Sequence, residues 1–337
     1  LTIKWAYFPK LIPWLMRYGW AAMPHNTRKS IDAIKLLNRP SIERFEVLLK
    51  RTGLTSLMVK RGALTVYSSE SAAKKNAKHA DFVRSHGVKV KQLSGDEVRE
   101  LEPALDKSIY GGLYYPDTAH SVDPHKLVTS LADCFTQKGG QVLKEDVVSI
   151  DLRDPDCVRL KTNNQDIVAK EIVIACGAWS KTLAKCVGHT VPLETERGYH
   201  LMLPTPKVKL TRPVTSYERS FVMTPMENGL RLAGTVELAG LNAPENDKRA
   251  SILFHHAKEI LPNVTNQRST SWMGHRPSLP DSLPVIGRSP KHERVIFAFG
   301  HQHLGLTQAA VTADLISETV LGQPHQVDIS AFRVDRF

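Results

Sequence analysis

Cysteine is scarce in this sequence and carries no metal-binding pattern. Cys134, Cys157, Cys176 and Cys186 lack zinc-type pairing, and Cys176 lies in an apolar strand, so a reducing compartment is the simplest reading. No apolar run reaches the roughly 18 residues that a membrane-spanning helix needs. No signal-peptide pattern and no internal repeat stand out. The formal charge is +11, yet the 45 Lys and Arg are scattered, often beside acids, which makes nucleic acid the weaker reading of that charge. A diffuse positive field still suits carboxylate substrates or an anionic membrane face. His255 and His256 have no partners at metal spacing, so no metal site is expected. The expected location is cytoplasmic, with peripheral attachment at the inner face of the cytoplasmic membrane left open.

The 337 residues, 42% of them hydrophobic, are enough to bury a sizeable core, arranged as two lobes. The opening alternates Trp5, Tyr7, Phe8, Trp14, Tyr18 and Trp20 with Lys4, Lys10 and Arg17. Pro9 and Pro13 argue against one continuous helix there, and two readings stand: a packing element of a larger fold, or a segment resting on a membrane surface. Residues 27–49 read as helix interrupted at Pro40, and residues 69–85 as a polar helix. Ser94 to Glu97 form a capping box, Asp123-Pro124 starts a helix, and Asn228-Gly229 suits a type I′ hairpin turn. A further helix is expected over residues 248–260.

Two stretches carry chemistry. Val295 to Phe299 reads as a buried strand, Gly300 to Gly305 as a tight turn, and Leu306, Ala309, Ala310, Ala313 and Ile316 as a helix face. Such a junction aims free N–H groups and a helix dipole at one point, which suits an anion, although an ordinary strand-to-helix connection has the same form. The second stretch, EIVIACGAWS, is an apolar strand running into small residues, as expected of a parallel strand with a ligand near its C-terminal end.

GHRPSLPDSLPVIG followed by FGHQHLGLT resembles the C-terminal flavin segment of the D-amino-acid oxidase superfamily, most closely bacterial D-amino-acid dehydrogenases and their hydroxyproline-dehydrogenase relatives. The likeness runs over nearly all of the chain and includes LSGDEVRELEPAL and PLETERGYHLML. It implies an α/β and α+β fold, an incomplete Rossmann-like FAD-binding lobe beside an antiparallel-sheet substrate lobe, with the chain passing between them more than once. The expected division is 1–55 as connector, 56–108 and 190–272 as substrate lobe, 109–189 and 273–325 as FAD lobe, and 326–337 as tail.

By the same resemblance, Gly300, His301, Gln302, His303, Leu304, Gly305, Leu306 and Thr307 line the flavin. Cys176, Gly177, Ala178 and Trp179 pass the cofactor, and Val147 contacts its adenine side. Arg276 would hold the substrate carboxylate, with Tyr199 and His200 as pocket candidates. No residue reads as a general base. The implied activity is FAD-dependent oxidative deamination of a D-amino acid, passing electrons to a quinone or other respiratory acceptor. A secondary-amine or hydroxyproline dehydrogenase or oxidase, and a non-catalytic truncated subunit, remain as alternatives. The family's Gly-x-Gly-x-x-Gly unit, at least about 30 residues for one βαβ element, is not in this sequence, and a segment from another chain is one expected source of it.

Overall fold

The computed structural model describes residues 2–337. A short strand, β1 (Thr2–Ile3), leads into helices α1 (Phe8–Ala21), α2 (Pro24–Asn38) and α3 (Ser41–Thr52). Contrary to the sequence expectation, α1 is one helix. Pro9 falls in its first turn, where a missing N–H costs nothing, so only Pro13 removes an interior hydrogen bond.

Next come β2 (Met58–Lys60), β3 (Ala63–Tyr67), α4 (Glu70–Ser85), β4 (Lys91–Ser94), α5 (Gly95–Leu101), β5 (Gly111–Tyr115), β6 (Ala119–Ser121) and α6 (Pro124–Gln137). The Ser94–Glu97 capping box forms in both directions, and Asp123 caps α6 by accepting the Lys126 N–H. An antiparallel sheet of β7 (Val147–Asp151), β8 (Val158–Thr162) and β9 (Asp166–Ala169) precedes β10 (Ile172–Ile174) and α7 (Ser180–Cys186). The chain then returns through β11 (Glu194–Leu203), β12 (Val214–Ser216), β13 (Phe221–Met226), β14 (Gly229–Leu238), α8 (Lys248–Ile260) and β15 (Thr270–Ser278). It closes with β16 (Val285–Arg288), β17 (Val295–Phe299) and α9 (Gly305–Val320).

One lobe is a mixed nine-stranded sheet in the order β15-β11-β14-β13-β12-β3-β5-β4, with β1 parallel beside β14. Period-two alternation turns Leu201 and Leu203 of β11 and Leu230 and Leu232 of β14 into a core with Ala250, Leu253 and Ala257 of α8. That leaves the opposite face of β11, β14 and β15 free to line a site. The second lobe holds β10-β17-β16, with β10 and β17 parallel. Ile172, Ile174, Val295, Phe297 and Phe299 fill its centre, and Val311 and Leu315 of α9 pack with Ile286 and Phe332. Residues 326–337 are docked rather than loose, since Phe332 is buried and Arg336 pairs with Asp281 at 2.7 Å.

Two further expectations are corrected. β5 was expected in the FAD lobe, but it pairs antiparallel with both β3 and β4 in the large sheet. The hairpin of β13 and β14 turns through Glu227 and Asn228, because Met226 pairs with Gly229. Gly229, at φ 128°, instead opens β14 against β11, where an added Cβ would lie 2.1 Å from the Leu203 carbonyl oxygen. The glycine serves a close strand approach rather than a type I′ turn.

Candidate active site

On β11 and β15 the register pairs Glu196 with Arg276, Gly198 with Gly274, and His200 with Trp272. Side chains alternate across a strand, so these six positions share the face turned away from α8. The central glycine pair removes side-chain bulk where two large groups lie down on the sheet. A Cβ on Gly198 would sit 2.3 Å from Cζ of Arg276, and one on Gly274 would sit 2.1 Å from Cη2 of Trp272. Trp272 in turn stacks on His200, with ring centroids 5.2 Å apart and planes 28° from parallel.

Together these groups line a cavity of about 120 Å³, which Arg231 of β14 also borders. Among the described residues, neither Arg231 nor Arg276 makes a side-chain hydrogen bond or an ion pair, and the buried Nε of Arg231 has no partner. Burial lowers both guanidinium pKa values. The Arg276 charge adds to the effect on Arg231, while Glu196 partly offsets it for Arg276. A guanidinium starts high enough that both remain cations. Burial first, and then Arg231, push the His200 pKa down to about 4, which leaves a neutral imidazole at physiological pH. His303 lies near the same charges, with desolvation and Arg276 lowering its pKa and Glu196 raising it. The cavity is therefore a positively charged, partly desolvated recess with no protein anion bound to either arginine.

Of the residues expected from sequence, Arg276 and His200 meet in this cavity. Tyr199 borders it, but its hydroxyl donates to Glu237 at 2.8 Å and accepts the Asn246 N–H at 3.2 Å. Glu237 also pairs with the fully buried Arg197 at 3.2 Å, so Tyr199 is committed to a network in the core. Sequence reading did not single out Arg231, Trp272, Gly198 or Glu196. The alternation Leu230, Arg231, Leu232 carried the signal for Arg231, since an arginine between two core leucines must face the other side of the sheet.

Cys176 to Trp179 and Gly300 to Gly305 follow the C-terminal ends of the parallel strands β10 and β17. Cys176 is exposed before a 3-10 turn, Gly177–Trp179. Gly177 has φ 54° and open space where a Cβ would point, a backbone that favours glycine and a surface free to receive a ligand. Trp179 is exposed and meets His275 edge-on at 5.4 Å. Ala178 borders a separate cavity of about 490 Å³ that also contains Tyr7, Lys181 and Glu194.

After β17, Gly300 takes φ 89° against Leu279, and a 3-10 turn, Gln302–Leu304, delivers the chain to Gly305 at the start of α9. No side chain caps that helix, and no acid stands in its first turn, so its leading N–H groups and dipole are available to an electron-rich ligand edge. His301 is turned inward, bonded to Thr312 at 3.0 Å, and Gln302 donates to the Leu279 carbonyl at 3.2 Å. Leu306 and Thr307 border a different cavity of about 120 Å³ with Phe45 and Leu49 of α3. Val147 opens β7 rather than ending a strand. The glycine conformations and the uncapped helix start would suit the electron-rich edge of a flavin nucleotide.

Residues 11–319 match the family model described as DAO, FAD dependent oxidoreductase. A D-amino-acid oxidase of Bradyrhizobium diazoefficiens is 32% identical over 344 residues, an alignment spanning 100% of this chain and 81% of that protein. A D-amino acid dehydrogenase of Paramagnetospirillum magneticum is 28% identical over 351 residues, again spanning 100% of this chain and 81% of the relative. Glycine oxidase from Geobacillus kaustophilus superposes with a TM-score of 0.75 at 24% identity, covering 92% of this chain and 82% of that one, a likeness of fold.

Proposed function

This chain belongs to the DAO family of FAD-dependent oxidoreductases, and we propose that within it the chain oxidatively deaminates a D-amino acid. The observation that carries this reading is the Arg276 guanidinium, unpaired and laid over Gly198 in a desolvated recess. A planar fork without a protein partner matches a carboxylate in both charge and shape. The D configuration rests on the two curated relatives, which are named as a D-amino-acid oxidase and a D-amino acid dehydrogenase.

In this reading the turn from Gly300 to Thr307, with Cys176 to Trp179 and Val147, holds the cofactor. Bound FAD supplies the two-electron acceptor for the hydrogen and electron pair leaving the α-carbon, so that the amine becomes an imine, which water hydrolyses to an oxo acid and ammonia. Arg276 fixes the carboxylate. The Gly198–Gly274 pair lets the Arg276 guanidinium and the Trp272 ring lie flat on the sheet, and the His200–Trp272 stack bounds one side of the recess. Positioning and charge then supply the rate, and no residue of the cavity is required as a general base.

Arg276→Ala and Arg276→Lys test the reading. Charged hydrogen bonds contribute roughly 1.5 to 3 kcal/mol each, so kcat/KM should fall on the order of 10² for Ala, with Lys intermediate. The loss should be greater for amino acids than for the corresponding amines, with flavin content near normal. An emptied flavin site, with residual turnover still selective for carboxylates, would make Arg276 a cofactor residue instead.

A membrane-bound quinone is the acceptor this reading favours, on the strength of α1. Ile12, Met16 and Trp20 form an exposed stripe at helical spacing, and residues 1–31 carry Lys4, Lys10, Arg17, Arg28 and Lys29 with no acid. Apolar stripe and cations together match an anionic lipid surface. Cosedimentation with phosphatidylglycerol vesicles should exceed that with phosphatidylcholine and fall for Trp20→Glu. Equal, weak binding to both would remove the proposal.

A further inference from the structure

Arg231 has no task in the reaction above, although it borders the same cavity as Arg276. We propose that it selects an acidic substrate: the site takes an amino acid with a second carboxylate, the α-carboxylate held by Arg276 and the side-chain carboxylate by Arg231. The inference rests on the carboxylate role given to Arg276.

Three observations carry it. First, the arginines enter from opposite ends of the recess. Arg276 stands across from Glu196 on β11, Arg231 stands across from Met202, and Gly198 and His200 lie between. Second, both arginines border one cavity of about 120 Å³, and after burial the charge of Arg276 further lowers the pKa of Arg231. A buried cation beside a second cation is costly unless an anion reaches it. Glu196 is the acid that bears on this pair, and it bears on Arg276 rather than Arg231. Third, the Nε of Arg231 is buried with no hydrogen-bond partner. Buried donors are normally satisfied, and no acceptor among the described residues answers this guanidinium. A neutral side chain would answer none of these. A carboxylate supplies the missing anion, accepting from Arg231 while Arg276 holds the α-carboxylate across the same cavity.

The test measures binding as well as turnover. Calorimetry on the flavin-loaded enzyme compares glutarate with butyrate, neither of which has an amine to oxidise. Steady-state kinetics compare D-glutamate and D-aspartate with D-norvaline. Glutarate should bind more tightly than butyrate, and Arg231→Met should reduce that preference, and the kinetic preference for the acidic substrates, on the order of 10²-fold. Arg231→Lys, which keeps a cation and is the milder change for folding, should retain a preference intermediate between wild type and Met. Arg276→Ala should weaken both acids. If Arg276→Ala weakens both acids but Arg231→Met weakens glutarate and butyrate equally, the acidic-substrate proposal fails alone. If Arg276→Ala leaves butyrate binding intact, the underlying carboxylate reading fails. Loss of flavin from both Arg231 variants would assign Arg231 to the cofactor and also overturn the proposal.

Discussion

Gly198→Ala is the most economical perturbation of the site, because it adds one methyl group and touches one functional atom group. The new Cβ would lie 2.3 Å from Cζ, 2.4 Å from Nη2 and 2.8 Å from Nε of Arg276, whereas ordinary contact begins at 3.4 Å. The difference, 3.4 Å less 2.3 Å, requires the guanidinium to retreat by at least 1.1 Å. The obstruction is the far end of a flexible side chain, so the strand itself need not move. Replacing glycine by alanine also restricts the unfolded chain, and the net stability change should stay within about 1 kcal/mol. Catalysis should respond far more, since misplacing a positioning group by about 1 Å costs on the order of 10² in rate. The assay pairs kcat/KM for amino acids with the thermal unfolding midpoint and the flavin absorbance of the same samples. Wild-type kcat/KM in a folded, flavin-loaded Gly198→Ala enzyme would refute the view that the seat of Arg276 over this glycine sets substrate position.

Two further outcomes follow from groups outside the cavity. Glu102 is fully buried and accepts from the Thr211 N–H, the Thr211 hydroxyl and Nε of Arg212 at 3.0 Å, tying the end of α5 to the approach to β12. Glu102→Ala strands the mostly buried Arg212 and should lower unfolding free energy by about 3 to 5 kcal/mol in denaturant titrations, and a loss below about 1 kcal/mol would show the network to be dispensable. For His301, burial pushes the pKa down to about 4 from an ordinary 6.5, so between those values the unfolded chain binds the extra proton. Its contribution is complete above the ordinary value and declines as pH falls, by at most about 1.4 kcal/mol per pH unit. His301→Gln should flatten that part of the stability curve, and an unchanged slope would place the titration elsewhere.

What could be read from sequence was local. The Ser94 capping box, Asp123 before Pro124 and the bounds of α8 depend on contacts within one turn of helix, and all three form as expected. Arg276 was singled out through its neighbours in the chain, Gly-His-Arg-Pro, and it borders the cavity on β11 and β15. The misreadings have the opposite character. β5 joins the large sheet because β3 and β4 pair with it from both sides, and Gly229 leaves the turn because the backbone of β11 crowds it. Neither neighbour is close in sequence. Arg231 is the sharpest case. Its facing was available from Leu230 and Leu232, but an arginine on the exposed side of a strand is ordinarily a solvated charge. Its interest comes from the approach of Arg276, on a strand two positions away in the sheet, and from the lack of an acid bonded to either group. A pattern of residues can say which way a side chain points. Whether its charge is answered depends on every strand and helix that surrounds it, and among the described residues none of them brings an acid into contact with Arg231.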